Sequence, residues 1–366
     1  MHHVVEGDYW VLSRFDDVFA AARDTTTFSS AQGLTHLYDD VAAAGLGAAT
    51  PMVFMDPPEH TEFRRLVAKG FTPRQVHELE PAVRRFVQRR LDTVADMGTC
   101  EIVEQLLKPL PTYVVAHYLG VPEADRARFD DWVHRIVAAS ALGDPMGASD
   151  TVGEVFDYFG GLIERRRSEP GDDTVSLLVQ AGDGAGVDPL RILGFAFTMI
   201  TGGNDTTTGL LGVGLELLQD APGATPALVE DPERIDDAVH ELLRLSSPVQ
   251  GLARTTTVDV AIGDRTIPAG RKVLLLYASA NRDERRFGDD AHRYRLDRGR
   301  DGQQILTFSY GAHHCLGAAA ARLMGRVVLE ELLSRFPDFR VDPGAGRFAP
   351  GHFVRWYESL PFDTGR

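Results

Sequence analysis

Residues Phe308-Ser309-Tyr310-Gly311-Ala312-His313-His314-Cys315-Leu316-Gly317 place one of only two cysteines between glycines, directly ahead of the helix-forming run Ala318-Ala319-Ala320-Ala321-Arg322. Glycine at 311 and at 317 permits a tight turn and a close approach of backbone to a flat ligand. A cysteine at a helix N-terminus faces backbone N–H donors and the positive end of the dipole, which favours its thiolate. Such a sulfur suits iron. A lone cysteine is more commonly a small buried hydrophobe, and Cys100, in Gly98-Thr99-Cys100-Glu101, is read as structural. Zinc suits His313, His314 and Cys315 poorly. Three adjacent residues do not converge easily on a tetrahedral ion, and the chain has no CxxC or HxxxH partner.

A chain of 366 residues with 43% hydrophobic content can build a substantial core. Its length alone suggests two or three domains, but motifs from residue 56 to residue 315 would have to meet at one site, which predicts a single large domain. No apolar stretch is long enough for a membrane span, and Met1-His2-His3 opens no secretory signal. Two cysteines point to a reducing compartment, the cytoplasm, rather than to a disulfide framework. A net charge of −15 argues against nucleic acid and anionic membranes as partners. Against that background Arg64, Arg65, Lys69, Arg74, Arg322 and Arg326 form a minority basic set. If gathered near the cysteine loop, they would receive an acidic electron-transfer protein; scattered, they are solvated charges.

Periodicity predicts a strand at Tyr9–Ser13, a helix at Phe15–Asp24 and a loop at 31–51. Helices follow at 73–97, 110–119, 123–140, 150–168, 187–219 and 233–246, and a last one at 316–335. Turns at Gly143-Asp144-Pro145 and Pro170-Gly171-Asp172-Asp173 separate some of them. Strand character concentrates between 257 and 277, in Val258–Ile262 and Lys272–Tyr277. The result is a mainly helical chain with small segregated β-sheets, an α+β class.

The predicted long helix carries Gly202-Gly203-Asn204-Asp205-Thr206-Thr207-Thr208 at its middle. Each glycine costs about 1 kcal/mol relative to alanine there, and threonine and asparagine divert backbone hydrogen bonds. A locally opened helix is expected, of the kind that marks functional sites. Thr198, Gly202 and Thr206 share one face, with Gly202 leaving room for a ligand. Asp205 and Thr206 offer an acid and a hydroxyl for proton delivery.

The pattern Phe308-x-x-Gly311-x-His313-x-Cys315-x-Gly317 resembles the haem-binding loop of the cytochrome P450 family. Gly202-Gly203-Asn204-Asp205-Thr206-Thr207 resembles its oxygen-activation motif. The resemblance covers nearly the whole chain and looks closest to soluble actinobacterial, particularly mycobacterial, members. It implies a triangular helical domain over 1–366, with haem b (iron protoporphyrin IX) between the long central helix and the cysteine-loop helix. It implies Cys315 as the metal ligand, with Phe308 shielding the sulfur and Gly311 and Gly317 shaping the loop. His60, Arg64, Arg254 and His313 are implied as donors to the haem propionates, since buried anions need paired cations. His60 and Arg64 lie four apart on a helix opened by Pro57 and Pro58. Glu241 and Arg244, alone an ordinary ion pair, match the family's E-x-x-R. Their third partner is Arg298 or Arg300, with Arg295 standing where an aspartate is usual. Ala280-Asn281-Arg282-Asp283 resembles a further family segment. Members usually carry a few dozen residues before the strand at Tyr9, so either the substrate entrance is looser on that side or the native start lies upstream.

The function implied is a haem-thiolate monooxygenase that inserts one oxygen atom of O2 into an apolar small-molecule substrate. Electrons would come from a ferredoxin and its NAD(P)H-dependent reductase, because the chain carries no flavin or iron–sulfur motif. Candidate pocket residues are the 32–52 loop, the helices around 130–165, Thr198, Thr201, Val249, Gln250 and Gly351-His352-Phe353. Two alternatives stay open: a haem-thiolate ligand sensor without turnover, and a peroxygenase driven by H2O2.

Overall fold

The computed structural model describes residues 1–38, 50–141, 147–181, 186–299, 304–351 and 353–366. Its spine is the central helix, Pro189–Asp220, 32 residues long. Pro189 fits the first turn, and the Asp188 carboxylate accepts from the Leu190 N–H at 2.8 Å, which satisfies one of the donors a helix start leaves free. Ile192, Phe195, Ile200, Leu210, Leu215 and Leu218 bury the helix among its neighbours. Against it pack Pro109–Tyr118, Ile235–Ser246 (the brace helix) and Ala318–Arg335 (the cysteine helix).

Pro73–Met97 starts on a reciprocal cap, in which the Thr72 side chain accepts from the Gln75 N–H and Gln75 reaches back to the Thr72 N–H. The cysteine helix lies along it. Arg84 bonds Glu331 at 2.8 Å and Glu80 at 2.9 Å, while Arg326 bonds Glu80 at 2.6 Å and Glu330 at 3.1 Å. Arg326 is therefore committed to holding two helices together. Arg74 pairs with Glu78 on the surface, and Arg65 and Lys69 are exposed.

One five-stranded sheet runs in the order His2–Val4, Tyr9–Leu12, Lys272–Leu275, Leu252–Thr256, Phe28–Ser29. Tyr9–Leu12 is parallel to Lys272–Leu275, Tyr9 facing Lys272, and the other pairings are antiparallel. Three smaller sheets stand apart from it. The α+β expectation holds, and the predicted helices lie within a few residues of their places.

Four expectations need correction. A strand, His2–Val4, precedes the one predicted at Tyr9. The strand before the 257–277 region, Leu252–Thr256, escaped the sequence reading because its Arg-Thr-Thr half shows no alternation. Val258 stands outside the strand, which is Val260–Ile262. The central helix stays α-helical through Gly202–Thr208. There the Thr206 hydroxyl donates to the Gly202 carbonyl at 2.8 Å, Thr208 to Asn204 at 3.0 Å, and the Asn204 amide to Ile200 at 2.6 Å. These bonds accompany the helical ladder without opening it, and burial on most sides holds the turn shut. The turn at 143–145, most of the 32–52 loop, Arg300 and His352 lie outside the described residues. Among those described, no helix is long and apolar enough to cross a membrane.

Candidate functional site

The cysteine loop is a closed backbone turn. Cys315 N–H donates to the Phe308 carbonyl at 2.9 Å, Ser309 N–H to Leu306 at 2.9 Å, and His314 N–H to Gly311 at 3.1 Å. Gly311 has φ +72°, and a Cβ there would stand 3.0 Å from the Ala22 carbonyl oxygen. Only glycine satisfies both the turn and the approach of helix Phe15–Arg23. The cysteine helix starts at Ala318, and the Gly317 N–H is hydrogen-bonded to the Cys315 sulfur, where it favours the thiolate. Burial acts in the opposite sense and is the larger effect, so the thiol pKa lies above its ordinary value. Cys315 nevertheless keeps exposed surface, since a thiol crowded by protein on most sides can still meet solvent on one. Phe308 lies beneath the Arg322 guanidinium, 5.3 Å from ring centre to Cζ. Cys100, by contrast, sits in the strand Thr99–Glu101, and burial together with Glu101 pushes its thiol up to about 11.

Behind the loop, Arg244 is 1% exposed and spends all five guanidinium hydrogens. Two go to Glu241 at 2.7 Å each, and three go to the carbonyls of Asn281, Ala291 and Arg293. Arg298 is the third partner, donating to Glu241 at 3.1 Å. Arg295 instead clamps Asp297 at 2.6 Å and Asp290 at 2.7 Å. Asn281 joins this brace to the loop. Its amide donates to Ser247 and Thr307, and its oxygen accepts from the Leu306 N–H at 2.7 Å.

Beside the loop, His60 and His313 face each other with ring centres 4.2 Å apart. His60 is 1% exposed, and neither ring nitrogen has a hydrogen-bond partner. His313 bonds the Ser30 hydroxyl at 3.2 Å. Burial, reinforced by Arg254, His60 and Arg64, drives the His313 pKa down to about 3. Burial and the charge of Arg64 lower that of His60 as well. Both rings are thus neutral donors near pH 7. Arg254 is buried, and among the described residues its guanidinium hydrogen-bonds the Ala253 carbonyl alone. Arg64 donates to the His314 carbonyl. Asp56, a carboxylate that acts on His60, is held by Ser29 and by the Ser30 N–H.

Helix Glu59–Val67, which carries His60 and Arg64, also meets the central helix. Glu59 pairs with Arg191, and Phe63 meets Phe195 edge-on at 6.3 Å. Helix Glu59–Val67 therefore ties the donor cluster to the central helix, although no hydrogen bond among the described residues joins Cys315 to Asp205 or Thr206. Gly202 is exposed and Thr198 and Thr206 are half-buried, as are Phe197, Met199, Thr201 and Gly203 beside them, and nothing lies within 4 Å of a Cβ built on Gly202. The Asp205 carboxyl is 9% exposed, and burial raises its pKa to about 7 against the opposing charge of Lys108. Val249 bridges to Val354, and the Gln250 N–H donates to the Phe353 carbonyl, so three of the candidate pocket positions are neighbours.

Sequence reasoning missed Ser30, Asp56 and Lys108 as contributors. Asp56 opens the very segment that carries His60 and was within reach. Lys108 lies 97 residues before Asp205, and no local pattern marks it.

A cysteine in a glycine turn thus stands beside two guanidiniums and two imidazoles, and among the described residues no carboxylate is bonded to His60, Arg64 or Arg254. The family model "Cytochrome P450" matches residues 148–346. Cytochrome P450 130 of Mycobacterium tuberculosis is 59% identical over 371 residues, covering 99% of this chain and 91% of that protein. Among solved structures, CYP109Q5 from Chondromyces apiculatus superposes with a TM-score of 0.88 at 34% identity, covering 99% of this chain and 91% of its own. CYP109E1 from Bacillus megaterium, solved in complex with testosterone, gives 0.87 at 31% identity, covering 100% and 96%. The chain belongs to the cytochrome P450 family. It is accordingly a haem monooxygenase, taking O2, electrons from a redox partner and a small-molecule substrate.

The donor set fits haem. Two guanidiniums and two neutral imidazoles converge, and His60, Arg64 and Arg254 have no carboxylate bonded to them among the described residues. Burying such a cluster without an anion is costly.

Proposed function

We propose that Cys315 is the iron ligand of this monooxygenase and that the whole chain works as one catalytic domain. The Gly317 N–H would hold the sulfur, and Phe308 would cover it. His60, Arg64, Arg254 and His313 would take the propionates, with Gly311 and Gly317 setting the loop against the macrocycle. The observation that carries this reading is His60, whose two buried ring nitrogens have no partner. When bound, haem supplies dioxygen activation, and the thiolate favours O–O cleavage.

The remaining roles belong to the chain. Gly202 leaves space on the cleft face of the central helix. Asp205, half-protonated near pH 7, stores a proton where no hydrogen-bond partner among the described residues fixes it. Thr206 carries a hydroxyl now donated to the Gly202 carbonyl, which it must release in order to pass a proton onward. The substrate would be an apolar small molecule of steroid-like size, as the testosterone complex of CYP109E1 suggests. Electrons would come from a ferredoxin and its NAD(P)H-dependent reductase, in the cytoplasm, where the free thiols Cys100 and Cys315 persist.

The test is the visible spectrum of the reduced holoprotein with carbon monoxide, for the parent chain and for Cys315→Ser. A strongly red-shifted Soret band in the parent, absent from the variant, supports the assignment. A variant that keeps the band overturns it. A steroid titration read by spin-state shift tests the substrate class.

A further inference from the structure

A cleft of about 720 Å³ opens behind the brace, between the end of the central helix with the turn after it and the segment His292–Asp297. That size lies within the range of small-molecule sites, roughly 300–1,000 Å³. Two features set it apart from an ordinary surface groove. The Tyr294 hydroxyl is buried with no hydrogen-bond partner, and burial and the Glu241 carboxylate keep it protonated, hence a donor. Arg234 makes no hydrogen bond or ion pair among the described residues and acts on Tyr294 through its charge alone. Arg293 adds a second guanidinium, whose Nε contacts only the His292 ring, at 3.3 Å.

The anionic side of the cleft is weaker. Asp297 is bonded to Arg295 at 2.6 Å and also feels the charge of Arg234, Asp237 acts on Tyr294, and Asp220 is the other carboxylate of the lining. Apolar wall comes from Leu217, Pro222 and Leu296. Unpaired donors beside an apolar wall suit a molecule with an oxyanion head and a short hydrocarbon body. We propose that this cleft binds such an amphiphilic oxyanion, an alkyl carboxylate or alkyl phosphate, seated by Arg234 and Arg293, with the buried Tyr294 hydroxyl reached as the ring is drawn outward.

The site is wired to the cysteine loop through the backbone on either side of Tyr294. The Arg293 carbonyl accepts from Arg244 at 3.2 Å, and the Arg295 N–H donates to Glu241 at 3.2 Å. A ligand that draws Tyr294 outward moves both, and through Asn281 it moves the loop. Occupancy of the cleft therefore shifts the haem reduction potential.

The test is calorimetric titration of the holoprotein with octanoate, octyl phosphate and, as a neutral control, octanol, with the iron held by excess imidazole. Binding itself is read without reference to iron ligation, so its failure is separate from any failure of the Cys315 assignment. The expected result is saturable binding of at least one anion and tighter binding of it than of octanol. Tyr294→Phe and Arg234→Gln should each weaken binding roughly 10-fold, the worth of one charge-assisted hydrogen bond, and Asp220→Asn should tighten it. Tyr294→Phe loses no bond seen in the structure, so its folding is not at risk. Failure of both anions to bind, equal binding in the variants, or octanol binding as tightly as the anions overturns the site. A reduction potential unchanged at full occupancy overturns the coupling.

Discussion

Replacing Asp205 with asparagine should stabilise the protein at pH 8 and do so far less at pH 5. The carboxyl is 9% exposed, has no hydrogen bond among the described residues, and is pushed from 3.8 to about 7 by burial, with Lys108 opposing. The folded pKa is the higher one, so the folded state keeps this proton longer than the unfolded chain does. Its contribution to stability is complete below about pH 3.8 and is lost as pH rises through 7. At 1.36 kcal/mol per pH unit between those values, the loss reaches about 4 kcal/mol at pH 8 and about 2 kcal/mol at pH 5. An asparagine of nearly the same shape does not titrate. Urea unfolding of parent and Asp205→Asn, equally loaded with haem, should therefore give a stability difference about 2–3 kcal/mol more favourable to the variant at pH 8 than at pH 5. Lys108→Met, which removes the opposing cation, should carry the loss to still higher pH. A stability difference between parent and Asp205→Asn that is the same at both pH values would refute the argument.

Glu241→Gln leaves the Arg244 charge buried without its carboxylate and should cost about 3–5 kcal/mol, seen as a lower denaturation midpoint; Glu241→Met with Arg244→Met should cost less than the single change. Gly202→Ala should raise stability by about 1 kcal/mol, because the helix gains and nothing stands in the way. Gly203→Ala should forfeit that gain, since its Cβ would meet the Val115 side chain at 2.8 Å. Equal unfolding midpoints for the two alanine variants would contradict the geometry.

The helices were legible because each carries its own signals. Asp188-Pro189 starts the central helix and Thr72-Pro73 with Gln75 starts another, and both signals are local. Strand Leu252–Thr256 was not, because its pattern depends on the neighbours it pairs with. The cysteine loop was legible as spacing, but the reason for Gly311 was not, since the Ala22 carbonyl it accommodates comes from a helix nearly 290 residues earlier. The sequence offers Arg298 as the third partner with Arg300 as its competitor, and in the structure Arg298 donates to Glu241. Of the basic residues that the sequence left as either a docking patch or scattered charges, Arg326 bonds between helices and Arg64 bonds the loop. Residues that act through a single long-range contact, such as Lys108 and Asn281, leave no periodicity to read.

The parallel pairing of Tyr9–Leu12 with Lys272–Leu275 has a consequence for the nascent chain. The first strand leaves the ribosome about 260 residues before its partner, and at roughly 5–20 residues per second that is a wait of about 13–50 s. Throughout it, one edge of Tyr9–Leu12, with the side chains of Trp10 and Leu12, has no sheet to join. The hairpin with His2–Val4 occupies the other edge, so only one side is open to a chaperone or to a second chain. The sheet thus cannot close until the chain has emerged as far as Leu275.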